Sequence, residues 1–320
     1  MTIISQDLTK ASEILSNEDL VAIPTETVYG LAGNIYSEEA IRKIFQLKQR
    51  PLFNPLIVHI YGMQQLEEVA ASVPAKAQLL AERFWPGPLT LILKKKAGIP
   101  DLVTAGKDTV GVRMPNHPLT LSLLAKIRFP LAAPSANPFG SISPTSAQHV
   151  ENYFKNQLYM ILDGGDCQKG IESTIIGFEN DEPVLYRLGS ISLEEISAVV
   201  GVVEVKNKKE KAPDAPGMLS RHYAPRTKTY LVADVKTFVA ARAEQKIGVL
   251  TFDKAIAAPN VQAMEILSAK GDLEEAAARL YATLHKLDAL DLDMIVAEKF
   301  PDIGLGKSIN DRLERATKKR

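Results

Sequence analysis

The 320 residues contain a single cysteine, Cys167, so no intrachain disulfide can form. The fold must rest on an apolar core, and the expected setting is the reducing cytoplasm. No apolar run approaches the roughly 18 residues of a membrane-crossing helix. The opening MTIISQDLTK has no basic stretch leading into an apolar one, so neither a membrane anchor nor a secretory leader is expected. Neither sign of charge is in excess: 38 basic and 38 acidic side chains give a formal net charge of zero. Proteins that coat nucleic acid usually carry a basic surplus, which disfavours that class while leaving room for a local basic site.

Common chemical signatures are missing too. The chain has no GxxxxGK[ST] and no GxGxxG following a strand. GLGKS at 304–308 lacks the first glycine of a phosphate loop and reads as the entry to the last helix. GxSxG is absent, which weakens a hydrolase reading. His59, His117, His149, His222 and His285 show no HExxH or paired spacing, so no protein-built metal site is expected. Cys167 lies in the polar turn DGGDCQKG and reads more readily as an incidental thiol than as a nucleophile.

What is present is a 46% hydrophobic chain, enough for a sizeable core, with a length that suits two domains. Helical periodicity is predicted over 5–17, 37–49, 74–85, around 117–126 and near 145–154. Strand patterns fall at 20–24, 55–60, 88–96, 109–114 and 129–135. STIIGFE and PVLYRL read as paired strands with a turn at Asn180–Asp181. The predicted class is α/β, with a twisted, mixed open sheet over residues 1–205. Residues 206–226 have no periodicity and include Pro213, Pro216 and Pro225, so they read as a linker. Residues 227–320 carry strands at TKTYLVA, KIGVLTF, VQAMEIL and DMIVAE. Helices are predicted near 234–243 and 272–290, with SINDRLERATKKR closing the chain; this is a smaller, Rossmann-like α/β domain.

Polar side chains gather at strand ends. IPTETVYGL presents Thr25, Glu26 and Thr27 as a strand finishes. KQRPLFNPLIVHI places Lys48 and Arg50 before an elbow stiffened by Pro51 and Pro55, with Asn54 in the elbow and His59 at the strand end. Cations held with little freedom left to lose suit a polyanion, and a guanidinium grips phosphate bidentately; a solvated basic turn is the competing reading. Arg113, between Val112 and Met114, needs a partner, either an ion pair or a ligand carboxylate. APSANPFGSISP and GIEST leave or enter strands with small hydroxyl and amide groups that suit phosphate and ribose oxygens, or simply turn.

Taken in order, PTETVYGL, K-x-R-P-x-x-NPLIVH, FWPGPLTLIL, GVRMPNHP, APSAN…SPT, DGG…GIESTI and RHYAP resemble the YrdC-like threonylcarbamoyl-AMP synthase family. The tail GLGKSINDRLERA resembles the end of that family's long, two-domain form. The resemblance covers nearly the whole chain. It implies a YrdC-like twisted sheet with a large concave cavity and a nucleotidyltransferase activity. L-threonine, bicarbonate and ATP would condense to threonylcarbamoyl-AMP with release of pyrophosphate. Other proteins would then transfer the threonylcarbamoyl group to tRNA. Magnesium is expected through the ATP phosphates, with no prosthetic group.

By motif, Thr27, His59, Arg113, Ala133 and Ser173 are expected around threonine. Arg50, Asn54, Thr109, Ser135, Ser143, Arg187 and Tyr223 are expected around ATP, with Lys48 and Arg50 as the catalytic cations. Because Tyr223 lies outside residues 1–205, the linker is expected to fold back as an active-site lid, stiffened by Pro213 and Pro216 and anchored by the second domain. Two positions depart from common versions of the family, Gln49 where glycine or asparagine is frequent and Phe139 where serine often follows SAN. Two rivals remain at this stage. One is a carbamoyl-adenylate-forming carbamoyltransferase, disfavoured by the absence of cysteine clusters. The other is a non-enzymatic RNA-binding module, for which Lys206–Lys211 would offer a weak tRNA contact.

Overall fold

A computed structural model describes residues 1–207, 215–218 and 222–318. Pro213 and most of the basic stretch Lys206–Lys211 lie outside the described residues.

Among the described residues, eleven strands form one sheet in the order β1 (Ile3–Ser5), β8 (Met160–Leu162), β2 (Val21–Ile23), β3 (Gly30–Asn34), β7 (Leu131–Ala132), β4 (Ile57–His59), β6 (Thr109–Arg113), β5 (Leu89–Lys94), β9 (Thr174–Glu179), β10 (Glu182–Arg187) and β11 (Glu204–Val205). The sheet is mixed: β4 runs parallel to β6, while β5 is antiparallel to β6 and parallel to β9. The hairpin of β9 and β10 turns at Asn180 and Asp181, whose φ values of 52° and 64° are those of a type I′ turn.

The helices Glu38–Lys48, Ala75–Phe84 and Leu193–Val200 bury Ile41, Ile44, Leu80 and Ile196 in one core with Leu31, Val58, Leu91 and Val112. The helices Leu8–Ser16 and Pro118–Ile127 build another with Val21, Ile23 and Ala32. The first helix starts at Leu8, later than its periodicity suggests, because the Asp7 side chain accepts the amides of Thr9 and Lys10. Residues 3–5 pair with β8 instead. Over β4, β5, β9 and β10 the cover is the linker itself: Ala215 and Met218 are buried against Ile57, Ile92, Ile175, Val184 and Tyr186.

A second sheet orders β12 (Thr229–Val232), β15 (Met294–Glu298), β13 (Ile247–Thr251) and β14 (Val261–Ile266), all parallel. Its helices Leu273–Asp288 and Leu305–Ala316 face the large sheet. The closing helix starts at Leu305, three residues before the predicted SINDRLERATKKR, and Gly304 turns into it at φ 47°. Their core residues Leu280, Tyr281, Leu284, Ile309 and Leu313 join Val28, Ile142, Ile171 and Tyr223 in one cluster, so the two sheets share a core. Among the described residues, no helix is long and apolar enough to cross a membrane.

Candidate active site

The basic elbow is built by a helix that stops abruptly. Gln49 ends Glu38–Lys48 in the left-handed region, at φ 52° and ψ 41°. That is the conformation glycine and asparagine tolerate best. The turn sends the two flanking cations in different directions. Lys48 is buried, and its Nζ donates to the Ser135 and Asn137 carbonyls, so it staples the 135–137 loop to the helix end. Burial, and then the Arg50 charge, lowers its pKa well below the ordinary lysine value. Arg50 donates from Nε to the Asn54 carbonyl at 3.1 Å and from Nη2 to the Pro55 carbonyl at 2.8 Å. Burial, and then the Arg187 charge, pulls its pKa down to about 9, so it remains a cation at neutral pH. Asn54 is fully buried, and neither end of its side chain has a hydrogen-bond partner among the described residues.

Sheet register sets the next pair. His59 in β4 stands directly beside Arg113 in β6, so both project from the same face. The Arg113 guanidinium meets Glu26 at 2.8 Å with both side chains 5% exposed, and its Nε has no hydrogen-bond partner. Burial, and then the Arg113 charge, lowers the His59 pKa to about 3, so the imidazole is neutral. The Thr25 hydroxyl donates to the Val28 carbonyl at 2.6 Å and lies 2.9 Å from the Thr27 hydroxyl, which fixes the threonine-rich turn that carries Glu26.

The third wall comes from β9, β10 and their approaches. Arg187 donates to the Ser173 carbonyl from Nε at 3.0 Å and from Nη2 at 2.8 Å. Ser173 shares a hydrogen bond of 2.7 Å with Thr90. Glu172 accepts from the Ser143 hydroxyl at 2.6 Å. Burial works against its charge, but the Arg312 and Arg187 cations and the Ser143 bond outweigh that, holding its pKa below the usual carboxylate value.

Arg50, His59, Arg113, Ala133, Ser135, Ser173, Arg187 and Tyr223 thus surround one hollow. Thr27, Lys48, Asn54 and Ser143 stand behind its walls and do not line it. Thr109 lines an adjoining recess with Lys107, and Pro216 borders both spaces. Sequence reasoning passed over Glu172, Gly217 and His222. The Pro-Gly pair was a legible signal for Gly217: its φ is 87°, and a Cβ there would meet Arg187 Cδ at 2.8 Å and the Tyr223 hydroxyl at 2.9 Å. His222 packs edge-on against Phe139 at 5.6 Å, which gives the unusual phenylalanine a partner in the linker. With Pro216, Gly217, His222 and Tyr223 closing it, the hollow keeps about 50 Å³.

Residues 13–189 match the Sua5/YciO/YrdC family, described as telomere recombination, and residues 191–317 match the family described as threonylcarbamoyl-AMP synthase, C-terminal domain. The chain belongs to the Sua5/YciO/YrdC family. The threonylcarbamoyl-AMP synthase of Pyrococcus abyssi is 40% identical over 321 residues, covering 96% of this chain and 93% of that one. That of Bacillus subtilis is 40% identical over 319 residues, covering 97% and 92%. The crystal structure of P. abyssi Sua5 complexed with L-threonine superposes with a TM-score of 0.91 at 38% identity, over 98% of this chain and 96% of that one. E. coli YciO, 23% identical with a TM-score of 0.52 over 59% of this chain, shares the fold. The predicted α/β class, a large mixed sheet followed by a smaller parallel one, is the architecture of this Sua5-family chain.

Proposed function

We propose that this Sua5-family chain is an L-threonylcarbamoyladenylate synthase, a nucleotidyltransferase that joins L-threonine, bicarbonate and ATP and releases pyrophosphate. One observation carries the reading: the cations Arg50 and Arg187 and the pair His59–Arg113 converge on a single hollow that the linker closes. The synthases named above, 40% identical over nearly the whole chain, support it.

Threonine would lie against β4 and β6, its carboxylate on the free Nε edge of Arg113, near His59, Ala133 and Ser173, with Thr27 supporting that wall. ATP would occupy the side of Arg50, Ser135, Arg187 and Tyr223, with Asn54, Thr109 and Ser143 reached as the linker withdraws. Lys48 acts by fixing the Ser135 loop and adding positive charge behind the phosphates. Threonine's free amine and bicarbonate give a carbamate anion with loss of water. A carbamate oxygen then attacks the α-phosphorus, and pyrophosphate leaves. Such a step needs positioning and charge neutralisation more than a general base. The neutral His59 imidazole does not compete for the carboxylate as a second cation would.

The carboxylates at the hollow, Glu26 and Glu172, are each committed to an arginine. A magnesium ion brought by ATP would therefore keep phosphate and water ligands and offset triphosphate charge. No described group of three or more His, Cys, Asp or Glu side chains could hold a metal.

Residues 1–205 would form the catalytic domain, 206–226 the lid and 227–320 its anchor. Pro216, Gly217, His222 and Tyr223 border the hollow, and as the lid they would move out for ATP entry and return for chemistry. Closure also excludes water, which would hydrolyse a mixed carbamic–phosphoric anhydride. The product would pass to tRNA-modifying transfer proteins in the cytoplasm.

A pyrophosphate assay with ATP and bicarbonate tests the reading. Release should require L-threonine, and L-serine, one methyl smaller, should support it about 10–200-fold less efficiently. Equal release without any amino acid, or with carbamoyl phosphate in place of threonine, would refute it.

A further inference from the structure

Two helices of the smaller unit press polar side chains onto the backs of loops that line the hollow. In Leu305–Ala316, Arg312 is 1% exposed; its Nε meets Glu172 Oε2 at 2.9 Å and its Nη2 donates to the Leu188 carbonyl at 2.5 Å. In Leu273–Asp288, the Tyr281 hydroxyl donates to the same Glu172 oxygen at 2.9 Å, and His285 Nε2 lies 3.1 Å from the Ser143 carbonyl. The other Glu172 oxygen takes the Ser143 hydroxyl at 2.6 Å. The Tyr223 ring rests on the same two groups: the Arg312 guanidinium is 4.8 Å from its centroid, and the Tyr281 ring is stacked at 5.7 Å.

Glu172 is a carboxylate in the wall of a hollow where Arg50 and Arg187 are the cations of the proposed ATP side. Left alone, it would repel a triphosphate and compete for Arg187. Here its lone pairs are engaged by Arg312, Tyr281 and Ser143, while Arg187 donates to Ser173 and still lines the hollow. The charge that neutralises Glu172 comes from 140 residues further along the chain, in the other sheet's unit.

We infer that Arg312 and Tyr281 are positioning residues for the nucleotide half of the site. They engage the Glu172 oxygens so that these take no hydrogen bond from the phosphate-facing arginines, and they give the Tyr223 ring its seat. The smaller unit thereby completes the ATP site rather than merely anchoring the linker. The inference rests on the proposed ATP-dependent activity. The His59–Arg113 pair lies outside this network and Ser173 is the one threonine-side residue that touches it, so a defect here should fall mainly on ATP.

The test uses the full chain carrying Arg312→Gln, Arg312→Lys, Tyr281→Phe, or Arg312→Gln with Glu172→Gln. The KM for each substrate is read from pyrophosphate release, and ATP affinity from titration calorimetry. Arg312→Gln should raise the KM for ATP about tenfold or more, a size typical of coupling between groups in one network. Tyr281→Phe should raise it by about threefold, and the KM for L-threonine should stay within about twofold in both. Glu172→Gln in the Arg312→Gln background should recover most of the loss, because the stranded carboxylate is gone. Arg312→Lys should retain part of the affinity. Unchanged ATP affinity in both Arg312→Gln and Tyr281→Phe would overturn the inference. So would an equal loss for both substrates that Glu172→Gln does not relieve. Calorimetry with ATP needs no turnover, so a chain inactive with L-threonine would fail the proposed activity and still test this inference.

Discussion

Replacing Arg50 with alanine should lower kcat/KM for pyrophosphate release by about 10²–10³, the usual effect of removing one preorganised charge from a reacting centre. The guanidinium is buried and held by the Asn54 and Pro55 carbonyls, so it needs little reorganisation when phosphate arrives. Arg187, the nearest comparable cation in the hollow, is already engaged with Ser173 and cannot take over both tasks. Arg50→Lys should recover only part of the activity, because an ammonium lacks the planar fork that grips phosphate bidentately. The loss should fall on turnover and ATP affinity. Stability should change by only about 1–2 kcal/mol, the worth of two ordinary hydrogen bonds. Activity within threefold of the parent, measured on folded Arg50→Ala, would rule out this placement of the triphosphate.

Arg113→Ala should show two losses with separable causes. Glu26 would be left buried and unpaired, a change that costs about 3–5 kcal/mol of stability. The L-threonine carboxylate would lose its charge-assisted partner, and affinity should fall by about 100-fold. Adding Glu26→Gln to Arg113→Met removes the stranded charge, so the melting temperature should return most of the way. Threonine affinity should not return with it. Recovery of both together would mean that Arg113 only supports the fold and never meets the substrate.

The sequence made some of this legible and hid the rest for identifiable reasons. The Asn180–Asp181 turn could be read because a two-residue hairpin demands left-handed residues, which those types tolerate. The Ser37 cap could be read from its own side chain. The strands Gly30–Asn34 and Met160–Leu162 could not, since short segments buried on both faces show no alternation. The helix Leu193–Val200 did carry readable signals, the capping box of Ser192 and Glu195 and an apolar stripe of Leu193, Ile196 and Val200.

In the site, local chemistry pointed to His59 and Arg113 separately. Only the parallel register of β4 and β6 sets them side by side. Lys48 and Arg50 look alike in sequence, yet the left-handed turn at Gln49 sends one to backbone carbonyls and the other to the hollow. The Glu172–Arg312 pair, made across two sheets, leaves no local trace.

The most direct measurement is a crystal structure of the chain with L-threonine and a non-hydrolysable ATP analogue. The threonine carboxylate should lie on Arg113 and the phosphates on Arg50 and Arg187. The α-phosphorus should sit about 5 Å from the threonine nitrogen, the span of a carboxyl group plus a near-attack distance of about 3–3.5 Å. A nucleotide bound outside this hollow, with Arg50 turned to solvent or to protein alone, would contradict the shared chamber on which the proposed chemistry depends.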